Sequence, residues 1–240
     1  DAGASGVSLL AAFRHFYDRE EMKYNLCVAI TAEEENSGSD GLECVLPELG
    51  PLDFAIVGEP TQMQLAIAER GLMVVDCTAR GRSGHAAREE GDNAIYKAMQ
   101  DIEWFRSYRF PKVSELFGAV KMTVTIISAG TQHNVVPAEC RFTVDIRVTD
   151  RYTNEEVLDE ILRTLADKGK GLEMNTSGVD RSVGFLPTVD VFRRFKELGG
   201  EIVTVGSDAH RTDRVGQYCA QAAEMLSEIF GCVCTFQDRE

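Results

Sequence analysis

Residues 64–80, QLAIAERGLMVVDCTAR, mark the point where the chain changes its pattern. Apolar residues alternate on both sides of Arg70-Gly71, so the stretch reads as a pair of strands broken at that dipeptide. Beyond it, residues 92–105 place Ala94, Ile95, Ala98, Ile102 and Phe105 on one helical face. Residues 120–127 and 140–148 read as two further strands, with a turn around Ala129-Gly130-Thr131, and residues 154–165 as another helix. Strand, helix, strand, strand, helix is most of a ferredoxin-like split βαβ, and residues 171–175 could supply its last strand. The expectation is an inserted α+β domain over residues 64–178.

Working outward towards the N-terminus, Val7, Leu9, Leu10, Ala12, Phe13, Phe16 and Tyr17 recur at helical spacing, and residues 25–31, NLCVAIT, read as a buried strand. A second αβ unit follows, with a short helix at 41–46 and a strand at 54–57 that stops at Gly58-Glu59-Pro60. Residues 1–63 therefore read as the first part of an α/β domain with a parallel or mixed sheet. Towards the C-terminus, residues 179–240 return to α/β character: helix, strand (201–205), helix (215–230), strand (232–236).

Composition narrows the function. With 44% hydrophobic residues, 6 Pro and 21 Gly, the chain can bury a sizeable core, which excludes a disordered or fibrous class. Against 39 acidic residues stand 25 basic ones, and the net charge of −14 repels phosphate backbones and anionic lipid. A small-molecule partner is expected, with no nucleic acid and no membrane. The seven cysteines are odd in number, scattered and mostly in apolar runs, which suggests free thiols in a reducing cytoplasm. Cys232 and Cys234 match no CxxC spacing and read as small buried hydrophobes. No apolar run reaches the length a membrane-spanning helix needs. The first residue is Asp and a helical pattern starts almost at once, so a further segment is expected upstream.

Glu33, Glu34 and Glu35 follow directly on the strand at 25–31, and Glu59 stands just past the strand at 54–57. Ligands gather beyond the carboxyl ends of parallel strands. Three like charges in a row fit a solvated loop, but carboxylates converging at one sheet edge are stabilised mainly by a divalent cation among them.

The order DAGAS (1–5), TAEEENSGSDG (31–41), FAIVGEPT (54–61), GRSGHAA (81–87) and TQHNVVP (131–137) resembles the acetylornithine deacetylase, succinyl-diaminopimelate desuccinylase and glutamate carboxypeptidase family. Residues 1 to about 160 carry the resemblance. The wording of VGEPTQMQLAIAERGLMVVD, GHAAREEGDNAIYK and AGTQHNVVPAEC is most similar to the N-acyl-ornithine or N-acyl-citrulline deacylase branch of arginine synthesis. The resemblance implies a zinc-peptidase-like α/β domain, here partial, with an inserted ferredoxin-like lid that also dimerises. It further implies two divalent metal ions, zinc or alternatively cobalt, and an N-acyl amino acid substrate. Asp1 would bridge the metals, Glu34 would be the general base, Glu35 would ligate one metal and Glu59 the other. Register within the triple Glu is open by one position; the spacing to Gly41 selects Glu34 and Glu35. A zinc-bound water has a pKa of about 7, so a carboxylate can complete hydroxide formation at neutral pH.

His85 resembles the lid histidine that reaches the partner subunit's active site to stabilise the tetrahedral oxyanion. Asn134 and Arg147 resemble lid residues that contact the substrate carboxylate, for which the guanidinium fork is suited. For Arg147 an ordinary charge on a strand face is the competing reading. His15 and His133 are assigned to surface or packing.

The family implies two more zinc ligands: an early His in an HxD motif, which would precede Asp1, and a late His. From about residue 166 the wording differs. GKGLEMNTSG and FRRFKELGGEIVTVGSDAHR resemble the C-terminal end of a histidinol phosphatase of the polymerase-and-histidinol-phosphatase superfamily. There Asp208 and His210 would be metal ligands at a strand end, and His210 would be a candidate substitute for the late His. The sequence thus carries three readings: a deacylase, a phosphoesterase residing in the tail, or a dimerising fragment without catalysis.

Overall fold

A computed structural model describes residues 3–32, 41–59, 61–179 and 183–235. They fall into two units, Asp1–Glu69 and Arg70–Glu240.

The first unit contains helix α1 (Gly3–Tyr17), a 3₁₀ turn (Leu42–Cys44) and the short helix α2 (Leu46–Leu49). α1 buries none of its residues. The strands expected at 25–31, 54–57 and 64–68 are absent: no strand occurs among the described residues of this unit. Their apolar side chains are open to solvent, with Ile30 65%, Phe54 71%, Ile56 73% and Leu65 88% exposed. Apolar alternation reports the face a segment could bury. It does not supply the neighbouring strand that must satisfy the backbone N–H and C=O groups.

The second unit is built around an antiparallel sheet of β1 (Gly71–Arg80), β3 (Lys121–Ala129) and β5 (Glu139–Val148) in the order β1-β5-β3. β5 is central, and its period of two is plain. Cys140, Phe142, Val144, Ile146 and Val148 are buried, while Glu139, Arg141, Thr143, Asp145 and Arg147 take the other face. Two very short strands, β2 (Gly84–His85) and β4 (Val135–Val136), form a separate ladder. Helix α3 (Ala94–Ser107) starts where Asn93 accepts a hydrogen bond from Ile95 N–H at 2.9 Å, and packs Ala94, Ala98 and Phe105 into the core.

Helix α4 (Asn154–Asp167) opens on a capping box. Thr153 Oγ1 accepts from Glu156 N–H at 3.2 Å, and Thr153 N–H donates to Glu156 Oε2 at 3.0 Å. α4 serves two cores at once. Val157 and Ile161 enter the core of the three-stranded sheet, whereas Leu162 enters a second one with Met174, Phe192, Phe195, Val203, Ala222 and Leu226.

That second core is formed by α5 (Val189–Glu197), α6 (Cys219–Phe230) and the parallel pair β6 (Leu172–Asn175) and β7 (Val203–Gly206). The segment at 171–175 therefore does not complete a ferredoxin-like sheet with β1, β5 and β3. It takes its ladder partner from the tail, because the apolar second face of α4 draws β6 and β7 beneath it. Residues 232–235 are not a strand, although Cys234 N–H reaches Val203 O at 2.8 Å.

Ion pairs tie the two cores. Arg194 of α5 grips Asp159 of α4 through two hydrogen bonds of 2.8 and 2.6 Å, and this holds the Asp159 carboxyl below its usual range. Arg80 bonds both Glu139 and Glu173, each at 3.2 Å.

Candidate functional site

Antiparallel pairing of β2 with β4 sets Gly84 opposite Val136 and His85 opposite Val135. Ala86 N–H donates to Asn134 O at 2.9 Å, so the chain immediately after His85 is strapped to Asn134. Beside this ladder lies an open cavity of about 480 Å³ lined by Ala86, Asn93, Ile95, Thr131, His133 and Val135, among others. The local sequence explains the close approach of the strands. A Cβ at Gly84 would come 2.8 Å from Gly91 N, and a Cβ at Gly91 would come 3.0 Å from Val136 Cβ.

Two residues expected from the motifs, His85 and Asn134, are brought together here, both exposed. His133 lines the same cavity; its place in TQHNVVP, one residue before Asn134, was the only signal available for it. Arg147 is not part of this cluster. Eight positions of extended strand, about 26 Å, separate it from Glu139 at the near end of β5. Its guanidinium is held on its own strand by Asp145, with Nε to Oδ1 at 2.8 Å and Nη2 to Oδ2 at 3.0 Å. This is the arrangement of the competing strand-face reading.

Of the proposed metal and base carboxylates, Asp1, Glu34 and Glu35 lie outside the described residues. Glu59 is described and exposed, in a turn where Thr61 N–H reaches its carbonyl at 3.0 Å. Asp208 follows β7 with a left-handed backbone, φ 44°, which Asp tolerates better than most residues. Its Oδ1 accepts from Arg141 Nη1 at 3.0 Å. His210 turns back on the same segment, Nδ1 lying 2.8 Å from Asp208 O, with the ring exposed. Among the described residues no group of three or more His, Cys, Asp or Glu could hold a metal ion. Of the carboxylates that the resemblance assigns to the metal pair, Glu59 alone lies among the described residues, and Asp208 and His210 are engaged with Arg141 and with their own segment. Among the same residues, no helix is long and apolar enough to cross a membrane.

Residues 67–173 match the family described as the peptidase dimerisation domain. Among individual proteins, the chain is 30% identical to succinyl-diaminopimelate desuccinylase 2 of Ruegeria sp. (strain TM1040), across 66% of this chain and 43% of that enzyme. It is 28% identical to acetylornithine deacetylase of Myxococcus xanthus, across 82% of this chain and 56% of that one. The chain spans about half the length of the curated relatives it matches. A solved structure, the aminobenzoyl-glutamate utilization protein from Klebsiella pneumoniae, is 27% identical over 33% of this chain and 20% of its own, with a TM-score of 0.29. The two relatives bear the enzyme names that the motifs imply for residues 1 to about 160.

Proposed function

We propose that the chain is part of a metal-dependent amide hydrolase that removes the acyl group from an N-acyl amino acid, of the N-acetyl- or N-succinyl-ornithine or citrulline type. The observation that carries the reading is the β2–β4 ladder, which sets the exposed His85 opposite Val135 and ties Ala86 N–H to the backbone of the exposed Asn134, one residue away across the ladder and next to a cavity. Support comes also from the dimerisation-domain match over residues 67–173 and from relatives that are a desuccinylase and a deacetylase by name.

In this reading Asp1, Glu35 and Glu59 are the carboxylates that would hold a pair of divalent ions, zinc in the first place. When bound, such ions would lower the pKa of a coordinated water towards neutrality. Glu34 takes the proton from the attacking water, and His85 donates a hydrogen bond to the oxygen of the adduct. Asn134 contacts the substrate's carboxylate end. Arg147 would join it only in an arrangement that releases the guanidinium from Asp145. Two copies pair through the domain at 67–173.

The test is hydrolysis of N-acetyl-ornithine in the presence of zinc or cobalt, comparing the unaltered chain with Glu34→Gln and His85→Ala. Loss of a general base or an oxyanion donor costs on the order of a hundredfold or more in kcat. Equal turnover by all three proteins would refute the assignment.

A further inference from the structure

The loop from Arg82 to Asp92 is closed at its base by two backbone hydrogen bonds, Arg82 N–H to Asp92 O and Asp92 N–H to Arg82 O, both 2.8 Å. Inside it, Arg88 N–H reaches His85 O at 2.9 Å, Arg82 Nε donates to Glu90 O at 3.1 Å, and Ala86 N–H is held by Asn134 O at 2.9 Å. The backbone around residue 85 is therefore fixed from three sides. One further contact acts on the ring itself: Ala87 N–H donates to His85 Nδ1 at 3.1 Å.

A neutral imidazole has one donor nitrogen and one acceptor nitrogen. A backbone N–H can only donate, so the nitrogen facing Ala87 must offer its lone pair, and the ring proton must sit on Nε2. The ring is exposed, and Nε2 has no hydrogen-bond partner among the described residues. We propose that loop 82–92 locks His85 as the Nε2–H tautomer, with the Ala87 amide as the positioning group, so that a directed N–H donor points out of the protein. The ligand this suits is an oxyanion, such as the tetrahedral adduct of an amide carbonyl. The opposite tautomer would aim a lone pair at that negative oxygen. Only the catalytic consequence rests on the hydrolase reading above; the tautomer follows from the loop.

Nitrogen-15 NMR of the full chain at neutral pH tests it, with the ring signals assigned by their loss in His85→Gln. The expected result is a single tautomer, with Nδ1 pyridine-like and Nε2 pyrrole-like, and a nitrogen–nitrogen coupling across the hydrogen bond from Ala87 to Nδ1. Ala87→Pro removes the amide proton, and the ring should relax to the tautomer mixture of the urea-unfolded chain. A native ring that already shows that mixture, or that lacks the coupling, overturns the proposal whether or not the proline variant folds. The two readings separate cleanly. Turnover unaffected by His85→Ala would remove the catalytic role and leave the locked tautomer standing.

Discussion

The two units of the chain have similar apolar content and use it differently. In the second, alternating and helical patterns end in two dry cores, with Val144, Ile146, Phe192 and Phe195 fully or almost fully removed from solvent. In the first, Gly41 is the only buried residue among those described, and Phe54, Ile56 and Val57 stand more than two-thirds exposed. Hydrophobic stabilisation follows area taken out of water, not the number of apolar residues present. The second unit therefore has the means to offset its conformational entropy, and the first, as described, does not.

Thiol chemistry is the sharpest way to break that contrast. Burial first, and the nearby Asp101 and Asp76 charges second, push the Cys77 thiol up to about 12. At pH 8 its thiolate fraction lies about a thousandfold below that of an ordinary thiol. A thiol reagent followed by peptide mapping should label the exposed Cys27, Cys44 and Cys232 in the native protein and leave Cys77 until the chain is unfolded. Equal labelling of Cys77 and Cys27 would mean that the two units do not differ in packing.

Smaller in effect is a core truncation. Phe195→Ala should lower the stability of the second unit by about 3–5 kcal/mol, while Phe54→Ala should stay within about 0.5 kcal/mol. Urea denaturation followed by circular dichroism measures both. The smallest effect expected is at the α4 cap, where Thr153→Ala removes the acceptor for Glu156 N–H and should cost about 1 kcal/mol in the same assay. A cost near zero would show that α4 is held by its two cores alone.

What the sequence made legible follows from the same contrast. β5 and α4 were expected as a strand at 140–148 and a helix at 154–165, close to their observed bounds, because each carries its own periodicity. The strands expected at 25–31 and 54–57 were misread, since each rested on a short apolar run, and pairing depends on a partner that the run itself does not encode. Residues 171–175 were placed as a strand correctly and in the wrong sheet, because choosing between two sheets depends on the second face of α4 and on β7, some thirty residues away. Cys232, expected to be buried, is exposed for the same reason as the missing strand around it.

At the candidate site, His85 and Asn134 were singled out by motif order, whereas the β2–β4 ladder that brings their segments together was not expected, two-residue strands being too short to leave a pattern. Arg147 was assigned by resemblance, while Asp145, two residues back on the same face, decides where its guanidinium rests.

The double duty of α4 bears on how the chain can be dissected. The family match ends at Glu173, which invites trimming the protein there to obtain a free-standing domain. Such a cut would strip the tail from Leu162 and leave the greasy underside of a central helix bare, so the excised piece would be sticky and loosened even though every residue of the matched region was kept.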